Sequence, residues 1–328
     1  MHFHLTEEQV AIQNAVRGTL ADAWPIERIH AFADSEDDFD KSSWQAMMAL
    51  GLGGVLVPDS GMGLLEAALI SEVAGEAAAA GPLIGQLLAA AAVAVSGGAS
   101  LDAMVSGEAV ATLVHGGSAF VPCARAADFF LIVDRDAGIR LVPAGEGVTI
   151  EGVNASDRSR PVSRVDIAGD AGEVIFAAAD PMTARLADAA LVLVAADALG
   201  GAQKITDMSV AYAKEREQFG QPIGRFQGLK HQLAHMALDV EPARALVWYA
   251  AYAWDAKLPD APRAAAMAKA HLCDVFVRAT RAAIAAHGGI GYTWEYGLNY
   301  WFRRAVFDRA WLGSPAEHRA RAAEHAGW

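Results

Sequence analysis

The stretch Arg216–Gln227, REQFGQPIGRFQ, gathers guanidinium, amide and aromatic side chains around three helix breakers, Gly220, Pro222 and Gly224. Arginine suits a phosphate site because its planar fork donates two hydrogen bonds to one anion and never loses its charge. Phe219 can lie against an adenine or flavin edge, and Gln218 and Gln227 can hydrogen-bond to phosphate or ribose. The same residues also read as a helix C-terminus with Arg216 facing the last carbonyls. A second stretch, His287–Phe302 (HGGIGYTWEYGLNYWF), directly follows a helical pattern. Its Gly288, Gly289 and Gly291 allow positive φ and a close backbone approach to a ligand, or form an ordinary C-cap. His231 and His235 stand one helical turn apart, but HQLAH lacks the glutamate and third ligand of a zinc site, so they read as solvated or packed.

Long helical patterns must position these residues. Ala184–Arg216 is a mostly apolar helix whose Gly200–Gly201 pair permits close packing or a kink. From Gly228, apolar residues recur in alternating steps of four and three (Leu229, Leu233, Met236, Val240, Ala243, Val247, Ala250, Trp254), the seam of a bundle. Pro242 should kink or split that helix. Arg263–Ala286 and two shorter helices over 297–325 complete a C-terminal bundle, residues 179–328. Residues 1–105 also read as helices, beginning at a Thr6 cap, with an acidic loop at Asp34–Asp40. Between them, residues 106–178 carry short β-type runs: Ala109–Val114, Phe129–Val133, Gly138–Val142, Val148–Glu151, Arg164–Ile167 and Glu173–Phe176. The fold class is therefore mainly α with a small β domain. Leu52–Gly63 is glycine-rich but has no phosphate-loop lysine.

The 328 residues carry 39 acidic against 26 basic side chains, a formal net charge of −13, which argues against a nucleic-acid surface. Two cysteines without CxxC or CxxH spacing fit a reduced, cytoplasmic chain. No basic region followed by an apolar run opens the sequence, so no signal peptide is expected. Ala77–Val95 has no charge, yet Gly81, Pro82, Gly85 and Gln86 interrupt it, and it reads as helix, tight turn and buried helix rather than a membrane span.

RxxFGxPIxxFQ resembles the flavin pyrophosphate motif of the acyl-CoA dehydrogenase family, and HGGIG resembles the glycine loop that follows it there. The resemblance extends loosely over the whole chain. It implies FAD as cofactor, an acyl-CoA substrate and an electron-transferring flavoprotein as acceptor. Arg216, Gln218, Phe219, Gln227, His287, Gly288, Gly289 and Gly291 would be the cofactor residues. Ala285 stands where the family often has a glutamine, so one adenosine contact is expected to be missing.

The β region lacks the segment like TEPxxGSD and the later tryptophan strand that hold flavin ring and thioester in the family. The base is also absent. In most members a carboxylate precedes a Gly-Thr or Gly-Ser pair; here Leu312 precedes Gly313–Ser314. A minority place it in the first bundle helix, at a position matching Ala190. Asp188 and Glu295 are the reserve candidates. The pattern resembles the short subunits of paired-subunit acyl-CoA dehydrogenases of bacterial steroid side-chain breakdown. It implies a cofactor-completing chain without its own catalytic residue, in a heterotetramer with a second acyl-CoA dehydrogenase subunit. A self-sufficient homo-oligomer using Glu295 and a flavin-free helical scaffold are the alternatives.

Overall fold

The computed structural model describes residues 4–115 and 120–328. Helices α1 (Glu7–Ala23), α2 (Ile26–Asp34), α3 (Lys41–Met48), α4 (Leu64–Glu76), α5 (Leu83–Ser96) and α6 (Leu101–Ser106) come first. The Thr6 hydroxyl accepts from the Gln9 backbone N–H while the Gln9 side chain accepts from Thr6 N–H, a reciprocal cap on α1. Strands follow: β1 (Ala111–His115), β2 (Val121–Pro122), β3 (Phe129–Asp134), β4 (Gly138–Pro143), β5 (Val148–Gly152), β6 (Val162–Ile167) and β7 (Glu173–Phe176). They form a four-stranded sheet in the order β1-β3-β4-β7 and a three-stranded sheet in the order β2-β6-β5. β1 pairs with β3 in parallel, and the remaining pairings are antiparallel.

The rest is helical: α7 (Pro181–Glu215), α8 (Gln227–Asp255), α9 (Ala261–His287), α10 (Leu298–Ala310) and α11 (Pro315–His325). A hairpin of β8 (Glu217–Gln218) and β9 (Gln221–Pro222) joins α7 to α8. The bundle seam buries Met236, Val240, Ala243, Val247 and Ala250. α8 runs through Pro242 as one helix, so the expected split does not occur. The glycine pair in α7 serves close packing. A Cβ on Gly200 would lie 1.7 Å from the Glu72 carbonyl oxygen of α4, and one on Gly201 would lie 2.2 Å from the Phe276 ring.

The N-terminal helices are fastened to the bundle by polar contacts as well as by apolar packing. The Asp255 carboxylate, at the end of α8, accepts from the first two N–H groups of α4, Leu64 at 2.8 Å and Leu65 at 3.0 Å. It fills the orphan donors of that helix from across the molecule. Trp301 on α10 donates its indole N–H to Gly75 O at 3.1 Å. No helix among the described residues is long and apolar enough to cross a membrane. α5 contains most of the uncharged stretch weighed above, and its side chains pack into the core.

Candidate functional site

The hairpin after α7 projects from one end of the bundle. Phe219 (φ 53°) and Gly220 (φ 76°) both adopt left-handed backbone, as a two-residue hairpin turn with the native strand twist requires. A phenylalanine there is strained, and such strain persists where the surroundings demand it. Its ring is 92% exposed, with only an edge-to-face contact to Phe226 at 6.0 Å. Arg216 caps the end of α7 through its backbone N–H, which donates to Tyr212 O at 2.8 Å. Its side chain is exposed and has no ion pair or hydrogen bond among the described residues. Gln227 opens α8 and is also exposed; Gln218 donates only to the neighbouring Glu217 O at 2.8 Å.

The glycine loop stands at the same end. Tyr212, one turn before Arg216, stacks on His287 with ring centroids 4.4 Å apart, which ties the end of α7 to the end of α9. His287 is buried, with Nδ1 2.7 Å from Ala283 O and Nε2 3.1 Å from the Tyr296 hydroxyl. Burial lowers its pKa, so the ring is held neutral. Both ring nitrogens are engaged, and its imidazole braces the loop from inside instead of reaching outward. Gly288 takes φ 66°, and a side chain on Gly288 or Gly289 would meet only open space. Gly291 is different: it is buried, and a Cβ there would press on Ile284 O at 3.0 Å.

This surface fits the phosphate and adenosine side of a dinucleotide. It offers an unpaired guanidinium, an exposed aromatic ring and backbone open enough for close approach. No group of three or more metal-ligating side chains exists among the described residues. His231 and His235 are exposed on α8.

The two expected base positions converge. Ala190 on α7 and Leu312, between α10 and α11, line one cavity of about 240 Å³ with Leu113, His115, Arg135 and His318. Leu312 is buried at φ 60°, a left-handed conformation that a branched side chain rarely takes. Leu113 is shared between this cavity and a smaller one of about 30 Å³, and Leu312 between it and another of about 190 Å³. Asp188 is buried in ion pairs with Arg135 and Arg321, each 2.6 Å from the same oxygen. Those pairs commit the carboxylate that was the reserve base. Glu295 lines a separate cavity of about 510 Å³ with Trp24, Ile29 and Met208, which shares no residue with the Ala190–Leu312 one.

His318 donates from Nε2 to Leu312 O at 2.8 Å, and burial lowers its pKa to about 4. The folded chain therefore keeps the ring neutral down to that pH, whereas the unfolded chain protonates it near 6.5. The stabilisation is complete above pH 6.5 and is lost as pH falls from 6.5 towards 4. Discounted for partial exposure, it amounts to about 2 kcal/mol. His318→Gln should flatten the decline in urea stability over that pH interval, and an unaltered decline would assign it to other groups.

One feature has no local signal in sequence. Arg160, Asp197, Arg304 and Asp308 meet in a buried network between the β domain, α7 and α10. Arg160 reaches Asp308 at 2.6 Å and Asp197 at 3.3 Å, and Arg304 Nε reaches Asp197 at 2.8 Å. Arg304 also donates to Ala79 O at 2.9 Å, binding the turn between α4 and α5 to the network.

Helical N-terminal segment, compact sheets and C-terminal bundle define the acyl-CoA dehydrogenase fold. Family models agree: residues 6–119 match the acyl-CoA dehydrogenase N-terminal domain and residues 182–327 its C-terminal domain. The chain belongs to the acyl-CoA dehydrogenase family, so its class is that of oxidoreductases acting on acyl-CoA. It is 29% identical over 325 residues to acyl-CoA dehydrogenase IpdE2 of Mycolicibacterium smegmatis, covering 97% of this chain and 98% of that one. Among solved structures it is similar to a variant of the Tcur3481–Tcur3483 steroid ACAD, with 26% identity, 98% of each chain covered and a TM-score of 0.87. The ChsE4–ChsE5 complex from Mycobacterium tuberculosis shares the fold at 22% identity, covering 100% of this chain and 99% of that one, with a TM-score of 0.85.

Proposed function

We propose that this chain is the cofactor-completing subunit of an FAD-dependent acyl-CoA dehydrogenase heteromer, and that it has no catalytic base of its own. The observation that carries the reading is the meeting of Ala190 and Leu312 in one cavity whose nearby carboxylates are committed elsewhere, Asp188 to Arg135 and Arg321 and Glu317 to the cap of α11. Removal of the α-proton needs a base beside the thioester, and neither side chain can accept a proton. When bound, FAD supplies the hydride acceptor for the β-carbon. Arg216 would hold the pyrophosphate, with Gln218 and Gln227 on phosphate or ribose, Phe219 against a ring edge, and the Gly288–Gly289 backbone along the adenosine. His287, Tyr212 and Tyr296 would keep the loop and the hairpin in register. Gly291 would serve the same half-site by letting the loop fold tightly on α9.

The partner of this reading is a second acyl-CoA dehydrogenase subunit contributing flavin-ring site and base, in a cytoplasmic heterotetramer that passes electrons to an electron-transferring flavoprotein. The steroid ACAD likeness favours a bulky acyl-CoA as its substrate. Co-expression with a base-bearing acyl-CoA dehydrogenase subunit tests it, read by native mass and flavin absorbance. A yellow complex with one flavin per pair, and a chain that alone is colourless and inactive, is the expected result. A yellow homo-oligomer that turns over acyl-CoA alone would overturn the reading and return Glu295 as the base to test.

A further inference from the structure

Arg135 and Arg321 stand on the wall of the Ala190–Leu312 cavity, and their hydrogen bonding is incomplete. Each guanidinium has five N–H donors. Each makes one recorded side-chain bond, and both bonds fall on the same oxygen of Asp188. Arg321 Nη1 is buried without any partner. A buried donor left unmade costs free energy, and few native groups tolerate it without a reason. The other titratable groups at the cavity leave these arginines as its cations. His115 and His318 both have pKa values lowered by burial and are uncharged at neutral pH. Glu317 turns its carboxylate to the Ser314 N–H at 2.6 Å, where it caps α11. The remaining lining, Leu113, Val133, Ala187, Ala190, Leu191 and Leu312, is apolar.

We infer that this cavity binds a short-chain monocarboxylate, with its carboxylate on the free donors of Arg321 and Arg135 and its alkyl chain against Ala190, Leu191 and Leu312. The volume of about 240 Å³ limits the tail to a small one. A pocket whose lining carboxylate, Glu317, is turned to the α11 cap and which presents two arginines has the polarity to hold an acid anion and not to deprotonate a thioester. The inference rests on the reading that Leu312 and Ala190 leave this pocket without a base. Its test is a binding isotherm that needs neither flavin nor turnover, so a catalytically active homo-oligomer would overturn that reading without deciding the isotherm.

Isothermal titration of the purified protein at pH 7 with sodium hexanoate, hexanol and hexylammonium makes the measurement. Hexanoate should bind at least about tenfold more tightly than hexanol, the scale of a charge-assisted hydrogen bond, and hexylammonium should bind least. Arg321→Met should bring hexanoate to the level of hexanol while hexanol is unchanged. Ala190→Met, which fills the cavity without touching a charge, should abolish both. Equal binding of hexanoate and hexylammonium, no hexanoate binding, or hexanoate binding that survives Ala190→Met would overturn the assignment.

Discussion

Asp197→Ala should cost about 3–5 kcal/mol of folding stability, a loss expected when one partner is removed from a buried ion pair. Asp197 is 3% exposed and takes two guanidinium groups at once, Arg304 through Nε and Nη2 and Arg160 through Nη2. Burial alone would raise its carboxyl pKa, but Arg304 and Arg160 overcome that and hold it well below the ordinary carboxylate range. Without it two buried cations face each other with only Asp308 between them. Asp308 is a poor substitute, because burial, against the pull of Arg160, pushes its carboxyl up to about 7. Asp308→Asn, which keeps an acceptor for Arg160, should therefore cost less than Asp197→Ala at pH 6. Urea midpoints at constant m-value give both numbers. Equal losses for the two variants would show that Arg160, and not Asp197, anchors the network. The consequence reaches function, since the network joins the β domain to α7 and α10, the two helices that carry Arg216 at one end and the Leu312 turn at the other.

The helices were legible where an apolar stripe ran long enough to declare its period. α5 (Leu83–Ser96) is the buried helix expected within Ala77–Val95, α7 begins three residues before its expected start and ends one before its expected end, and α9 extends its expected span at both ends. Short elements escaped. Trp24–Pro25 is a true stop for α1, but Pro25 also serves as the N-cap of the nine-residue α2, and the six-residue α6 has no room for a repeat. Each β-type run became a strand, yet their partners were hidden. β1 pairs in parallel with β3 across the β2 excursion, and β7 returns to β4 past β5 and β6. Pairing of that kind is set by tertiary packing and leaves little local trace. The residues proposed for the phosphate could be picked out because they stand within twelve positions, which the structure shows to be a hairpin turn and a helix start. The direction of the His287 ring could not, since its neighbours Tyr212 and Tyr296 come from other segments. The arginine–aspartate network was invisible for the same reason: Arg160 and Asp308 are 148 residues apart in the chain. Gly200 could be read as a place for close packing, but the carbonyls that face it and Gly75, Glu72 O and Asp197 O, lie far away in the chain and leave no local trace.

Arg216→Ala should weaken FAD binding by the reconstituted complex about 100-fold and leave folding stability unchanged. Two charge-assisted bonds from one guanidinium to a pyrophosphate are worth about 2–3 kcal/mol together in a partly desolvated site. Nothing inside the chain compensates or competes, because this side chain has no intramolecular partner among the described residues and is exposed. That isolation separates the outcomes. A residue that only ended α7 would lose little on truncation, since the cap is made by its backbone N–H to Tyr212 O, which alanine keeps. Flavin retained per complex after gel filtration, with a fluorescence titration of FAD into the apo-complex, measures the effect. His287→Ala is the instructive contrast. It removes the ring stacked on Tyr212 and the bond to Tyr296, so it should lower both stability and flavin affinity. Arg216→Ala binding FAD like the wild type would take the hairpin out of the cofactor site, and no FAD binding by either protein would favour the flavin-free scaffold. Loss of flavin with full stability is the result that only a ligand-facing arginine produces.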